Sequence, residues 1–488
     1  MALLTVWMVA CFWFFASQLQ YHFFYQEQNQ LFLIDGEYML SYLGKPAWLA
    51  MLLGDALTQM YYYLYAGPAI LTLVLAVLGD VVCRSLTHIL RGRMSAKTAS
   101  WPAFAIALIV MTIEAWLSLN EGYRLSSIIA LAGGVTLWWL TDLLLTRFGT
   151  FWLRIVMAIV VGWLAYWLFG YGMLAFILLE MLNVFANAKT ITAKTWQTGL
   201  LPVAALVPLL LFVIPFAPRC YNIDIDTALT YPGMWKSTSW KGAKLLERIL
   251  AYDNDYYFGK YDKVVERYER ETADGTQEMT DEMSFFYCLS LEQQGVLAAR
   301  LPEMKHPVLG TFITIDDKTP MLTIKMINEL YWLLGDMTYT ERAALLANTF
   351  SPNGRNVRMV KRLAEANLVS GDTAAAMKYL RLLQKTLLYS GWARDHTPAT
   401  MSAEVKGEIE RKHKFVNTQS TIRLGDDCYV ILTELLDSNP DNTVALDYLF
   451  CSDMLSHQKD VFVRDYEKYG EHCLRPVFRE IYQSAKAE

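Results

Sequence analysis

The chain has no GxxxxGK(S/T), no GxSxG, no HExxH and no GxGxxG running into a helix. Nucleotide hydrolysis, serine hydrolysis and zinc proteolysis therefore have no support in the sequence. Cysteine is sparse, with seven residues, no CxxC and no Cys/His spacing of a metal site. Only 19% of residues are charged, against roughly 25% in soluble domains. The net charge of −5 gives no support to nucleic-acid binding.

The charge that is present lies mostly in the second half. It is sparse up to about Ala217 and dense from about Arg219 to Glu488. Two regions meeting two solvents is the simplest account. Cys11 and Cys83 fall in the apolar part, and Cys220, Cys288, Cys428, Cys451 and Cys473 follow it. A Cys428–Cys451 disulfide and unpaired buried thiols both stay open.

A bilayer core of roughly 30 Å needs about 20 apolar residues per helix. Runs at 3–17, 62–83, 102–119, 125–145, 151–169, 172–188 and 199–217 point to about seven spans within residues 1–217. The first has no basic cluster before it and no Ala-x-Ala-like cleavage site after it, so it reads as an anchor and not a signal peptide. Arg84, Arg91, Arg93, Lys97, Arg147, Arg154, Lys189 and Lys194 fall in or beside alternate loops, and Lys45 and Arg124 in the others. The positive-inside rule then predicts a cytoplasmic amino terminus and a second half on the outer side.

An outer loop with an interfacial helix is expected at about 18–62. Leu49, Leu52, Leu53 and Leu57 give an amphipathic face. Trp48, Tyr61, Tyr62 and Tyr63 give an aromatic membrane-interface belt. The loop also carries Glu27, Asp35 and Glu37. Within the spans, Glu114 and Glu180 are the intramembrane polar residues. Glu180 reads equally as a buried hydrogen-bond acceptor and as the centre of a transporter or channel.

Residues 218–240 read as a linker and 241–488 as a helical domain. Gly371 ends one helix and Asp372 or Thr373 caps the next; Gly259 marks a similar turn, and Pro440 opens a later helix pair. These repeat turns resemble those of tetratricopeptide helix pairs, without a strict period. Such stacked pairs commonly present a concave face to protein segments.

"YQEQNQLFL" at 25–33, "DALTQMYYYLYAG" at 55–67 and "NEGYRLS" at 120–126 resemble an uncharacterised family of Bacteroidota membrane proteins. That resemblance implies an all-α chain: a polytopic transmembrane helical bundle followed by a degenerate tetratricopeptide-like repeat domain in the periplasm of a Gram-negative cell. It supplies architecture and no activity. A looser likeness is to membrane-embedded, lipid-linked glycosyltransferases, whose first outer loop carries a catalytic acid. It would assign that role to Glu27, Asp35 or Glu37, and only there would a divalent metal enter. No other cofactor is expected. The leading expectation is an inner-membrane scaffold whose partners are the bilayer and a protein at the repeat domain. The enzyme and the transporter are the alternatives.

Overall fold

The computed structural model describes residues 2–91, 94–148, 150–187, 195–233, 237–275, 278–310, 315, 318–417 and 427–487. Arg93, Lys189 and Lys194 lie outside them. Every element among the described residues is helical. The chain divides into two compact units. The first holds Met1–Glu27 and Ile34–Glu247; the second holds Gln28–Leu33 and Arg248–Glu488. The second unit thus takes six residues from the segment expected as an outer loop, which no local pattern foretold.

In the first unit, Ala66–Leu90, Thr98–Leu117, Leu125–Arg147 and Phe151–Phe169 are long and apolar enough to cross a membrane. Ala2–Gln18 and Gln20–Gln28 meet the test together but are bent by 74°. Gly172–Ala186 and Gly199–Val213 are apolar but shorter. At 1.5 Å per residue the first of these is about 23 Å long, short of a hydrocarbon core. The second contains Pro202 and Pro208 and closes in a π-helical turn, Leu209–Val213. The lengths therefore give four spans, or five with the bent pair, where the apolar runs point to seven.

This unit exposes large apolar side chains and buries several ionisable and hydroxyl groups beside its apolar core. Trp101, Ile109, Leu73 and Trp152 are exposed, while Ser85, Asp142, Glu114 and Glu180 are buried. Water would drive the opposite arrangement; a hydrocarbon surround permits this one. Its core is built on Phe15, Leu75, Leu78, Trp138 and Phe176.

Residues 218–240, expected as a linker, contribute short helices to this unit. Ala217–Tyr221 and Ile225–Thr230 pack so that Ala228 is fully buried. The Ala228 carbonyl accepts from Tyr166 Oη at 3.1 Å, and the Tyr231 carbonyl from the Tyr171 N–H at 2.8 Å. Ile223, Ala228 and Leu229 pack with the apolar residues of the neighbouring helices, and that burial overrides the local polarity.

The expected interfacial helix is Trp48–Thr58, followed by a 3₁₀ turn, Gln59–Tyr62. Asp55 and Gln59 turn inward and Leu53 outward. Tyr42 Oη donates to Asp55 at 2.8 Å. Tyr62 and Tyr63 are exposed, Trp48 is half-buried beside Trp167, and Tyr61 turns inward against Phe23.

In the second unit, helices of similar length follow one another: Met321–Leu334, Met337–Phe350, Val357–Ser370 and Thr373–Gln384. Ile324, Ala344, Ala347, Met359 and Leu363 form the core of the first three. Gly371 has φ +85, and Asp372 accepts the Ala375 N–H at 2.9 Å. The same turn stands 36 residues earlier, where Gly335 has φ +79 and Asp336 accepts the Tyr339 N–H at 3.1 Å. Positive φ is what requires glycine there. Gly259, at φ +68, joins Trp240–Tyr257 to Tyr261–Asp274. Pro440 lies in the turn before Thr443–Ser456, which Asn442 caps. Cys428 and Cys451 are both free thiols, as are the other five cysteines.

Backbone contact between Leu125–Phe148 and Gly172–Asn187 is unusually close. A Cβ on Gly134 would lie 2.0 Å from the Gly172 carbonyl oxygen. Gly134→Ala is therefore expected to lose about 1–3 kcal/mol from overpacking. Gly199→Ala meets nothing within 4 Å and should be neutral or stabilising. Thermal melting of the purified protein in detergent checks this; equal midpoints for the two variants would refute the close contact.

Candidate functional site

The segment expected as an outer loop begins with the helix Gln20–Gln28. Glu247 accepts from the backbone N–H groups of Tyr21 at 2.7 Å and His22 at 2.9 Å, placing a carboxylate at the helix start. After Asn29 the backbone has no regular secondary structure before Gly36–Ser41, and Leu31, Phe32 and Leu33 are all buried. Three consecutive buried side chains mean that the segment is enclosed and not laid on a surface.

Polar contacts fix it. Val357 N–H donates to the Gln30 carbonyl at 3.2 Å. Asn356 Nδ2 donates to Asn29 Oδ1 at 3.2 Å while Asn356 Oδ1 caps Val357–Ser370 through the Met359 N–H at 3.1 Å. Gln28 Oε1 accepts from Arg358 at 3.2 Å and from Lys325 at 3.4 Å.

Arg358 is the hub. Only 1% of it is exposed. It donates to both Asp253 carboxylate oxygens at 2.8 Å and to Glu329 Oε1 at 2.9 Å. Its guanidinium lies 4.4 Å from the centre of the Tyr257 ring. Arg362 donates to Glu329 Oε2 at 2.7 Å and pairs with Glu365 at 3.2 Å. Burial alone would raise the Glu329 carboxyl; the charges of Arg362 and Arg358 overcome it and hold it below the ordinary carboxylate range. Burial likewise works against the Arg358 charge, and Asp253 and Glu329 more than offset it. Both oxygens of each buried carboxylate are taken by arginine. The cluster's arginine–carboxylate pairs and the Gln28 side chain hold the segment in place.

The expected site residues are scattered. Glu27 is buried in the first unit, Asp35 stands at the start of Gly36–Ser41 without capping it, and Glu37 is exposed in that helix. Glu114 accepts from Tyr123 Oη at 2.5 Å. Glu180 accepts from Trp138 Nε1 at 2.9 Å. Asp142 is buried; it bonds His88 Nε2 at 2.7 Å and Asn183 Nδ2 at 3.0 Å. Asp80 stays exposed, paired with Arg84 at 2.7 Å. No group of three or more potential metal ligands is found among the described residues. Sequence reading missed Gln28, Asp253, Lys325, Glu329, Arg358 and Arg362. The available signal was charge at four-residue spacing inside apolar helices, Lys325 with Glu329 and Arg358 with Arg362, a pattern that solvated faces share.

The fold and the clasp together define an all-helical protein with a membrane-type unit and a helical unit closed round a segment from its own amino-terminal region. The chain belongs to the family of unknown function DUF6057, which matches residues 1–487. No curated protein and no solved structure matches it.

Removing Arg358 leaves Asp253 and Glu329 buried without their partner. Arg358→Leu should destabilise the second unit by about 3–5 kcal/mol. Gln28→Ala should cost about 1–3 kcal/mol, and the two should be non-additive. Hydrogen exchange of Val357–Ser370 reports both. Unchanged protection in Arg358→Leu would mean that the cluster holds nothing.

Proposed function

We propose that this protein is an envelope scaffold: a multi-pass inner-membrane protein that presents a periplasmic, tetratricopeptide-like helical unit to a protein partner. The observation that carries the reading is the clasp. The second unit uses its buried charge to hold a segment that runs on from a helix end, Gln28–Leu33, by side-chain and backbone hydrogen bonds. Helical repeats recognise segments in this manner. The recurring Gly-Asp turns at 335–336 and 371–372 support the repeat character.

Membrane residence rests on the exposed large apolar side chains of the first unit and on its four long apolar helices. Orientation rests on Arg84, Arg91, Arg147 and Arg154 at one set of helix ends, against Lys45 and Arg124 at the other. In a Cys220→Ser background, Leu345→Cys should react with a membrane-impermeant maleimide in intact spheroplasts. Arg91→Cys should react only after permeabilisation. The reverse pattern overturns the orientation.

Because residues 28–33 belong to the second unit, the scaffold is tested on the full chain and not on an excised back half. A photo-crosslinking amino acid placed singly at exposed Leu345, Phe350 or Leu387 in living cells should give a discrete adduct from at least one position. Diffuse or absent adducts at all three, with function intact, would remove the scaffold reading.

A further inference from the structure

Beside the clasp, the second unit carries two lysines set on aromatic rings. Lys361 Nζ lies 4.7 Å from the centre of the Trp392 ring and 5.3 Å from that of Tyr257, and donates to Tyr257 Oη at 3.0 Å. Lys412 Nζ lies 5.1 Å from the centre of the Trp332 ring and donates to the Leu333 carbonyl at 3.1 Å. Trp332 also carries Arg362, 4.3 Å from its ring centre. All three rings and both lysines are half-buried, so this face reaches solvent.

The charges on this face do not balance. Arg362 is paired with Glu329 and Glu365, and Glu329 is shared with Arg358. Among the described residues, no carboxylate lies within ion-pair distance of Lys361 or Lys412. Each ammonium has three protons and one oxygen acceptor. A ring partly offsets the lost hydration of a cation, by less than a carboxylate does.

We propose that Lys361 and Lys412 bind carboxylates of an acidic protein segment. The inference rests on the scaffold reading and gives its partner a chemistry. A carboxylate is what satisfies the neighbouring cations Arg358 and Arg362 in this same unit. Two ammoniums on separate rings suit acidic groups spaced along a chain, and this unit already holds one chain segment by polar contacts.

A consequence follows for pH. Burial, and then the like charge of Arg362, push the Lys412 amine down to about 7, against the opposing pull of Glu329. The nearby His413 turns instead to the Val369 carbonyl. An arriving carboxylate raises the amine's pKa, so binding above about pH 7 takes up a proton, and affinity falls as pH rises through that window.

The test uses the full-length protein in detergent micelles and a fluorescent hexaglutamate probe. Binding is expected with Kd below about 1 mM. Lys361→Met and Lys412→Met should each weaken it about tenfold. Wild-type affinity should fall between about pH 7 and pH 9, and Lys412→Met should flatten that profile. Absent binding, equal binding of hexaglutamine, a flat wild-type profile or unchanged affinity in both variants would overturn the proposal. Displacement by inorganic phosphate at equal concentration would also overturn it, marking a small-anion site. The wild-type pH profile decides the matter if a variant does not fold. Cross-links that persist in the double variant keep the scaffold and remove this site. Hexaglutamate binding without any cross-linked partner does the reverse.

Discussion

A guanidinium taken out of water is the constraint on which the second unit depends. Arg358 is buried against Asp253, Glu329 and the Gln28 side-chain oxygen. Desolvating one such ion costs several kcal/mol, and only close, hydrogen-bonded partners offset that. The partners come from distant places, since Asp253 is 105 residues away and Gln28 is 330. Closing so long a loop is entropically unfavourable until the contacts form. The back half of the chain is therefore not self-sufficient: a piece of its interior is supplied by Gln28–Leu33.

The first unit applies the same rule to its own buried polar groups. Glu180 with Trp138, and Asp142 with His88 and Asn183, are paired between helices, and Glu114 takes Tyr123 from the turn after its own helix. Where water is excluded, side-chain bonds between helices contribute about 0.6–2 kcal/mol each. Glycine supplies the rest of the adhesion where Gly134 and Gly172 bring two backbones together. These pairings give Glu180 a structural occupation.

What could be read in advance follows the range of the interaction. Apolar runs and turn residues act within a few positions, so the long helices and the Gly371–Asp372 turn were legible. The Gly335–Asp336 turn carries the same signature and was legible in principle. The Arg358 cluster was not, because Lys325–Glu329 and Arg358–Arg362 look locally like any solvated helix face. The inward turn of Tyr61 and the packing of residues 218–240 are likewise tertiary choices. The short helix Gly172–Asn187 shows the converse: an apolar run measures solvent and not length.

Apolar burial of Leu31, Phe32 and Leu33 alone would leave the segment's register poorly defined, because the hydrophobic effect is non-directional. The sequence makes that hazard concrete: a second glutamine, Gln30, follows Gln28 by two residues. A two-residue slip would set Gln30 before Arg358 and keep that hydrogen bond. It would also set Leu31 where Asn29 stands, and Asn356 Nδ2 would lose Asn29 Oδ1 as acceptor. Asn356 has no freedom to turn away, since its own oxygen caps Val357–Ser370. Arg358 thus holds the segment, while Asn356 decides which residues are held. The buried charge supplies strength that tolerates a shift, and the neutral amide supplies the register that charge alone does not fix.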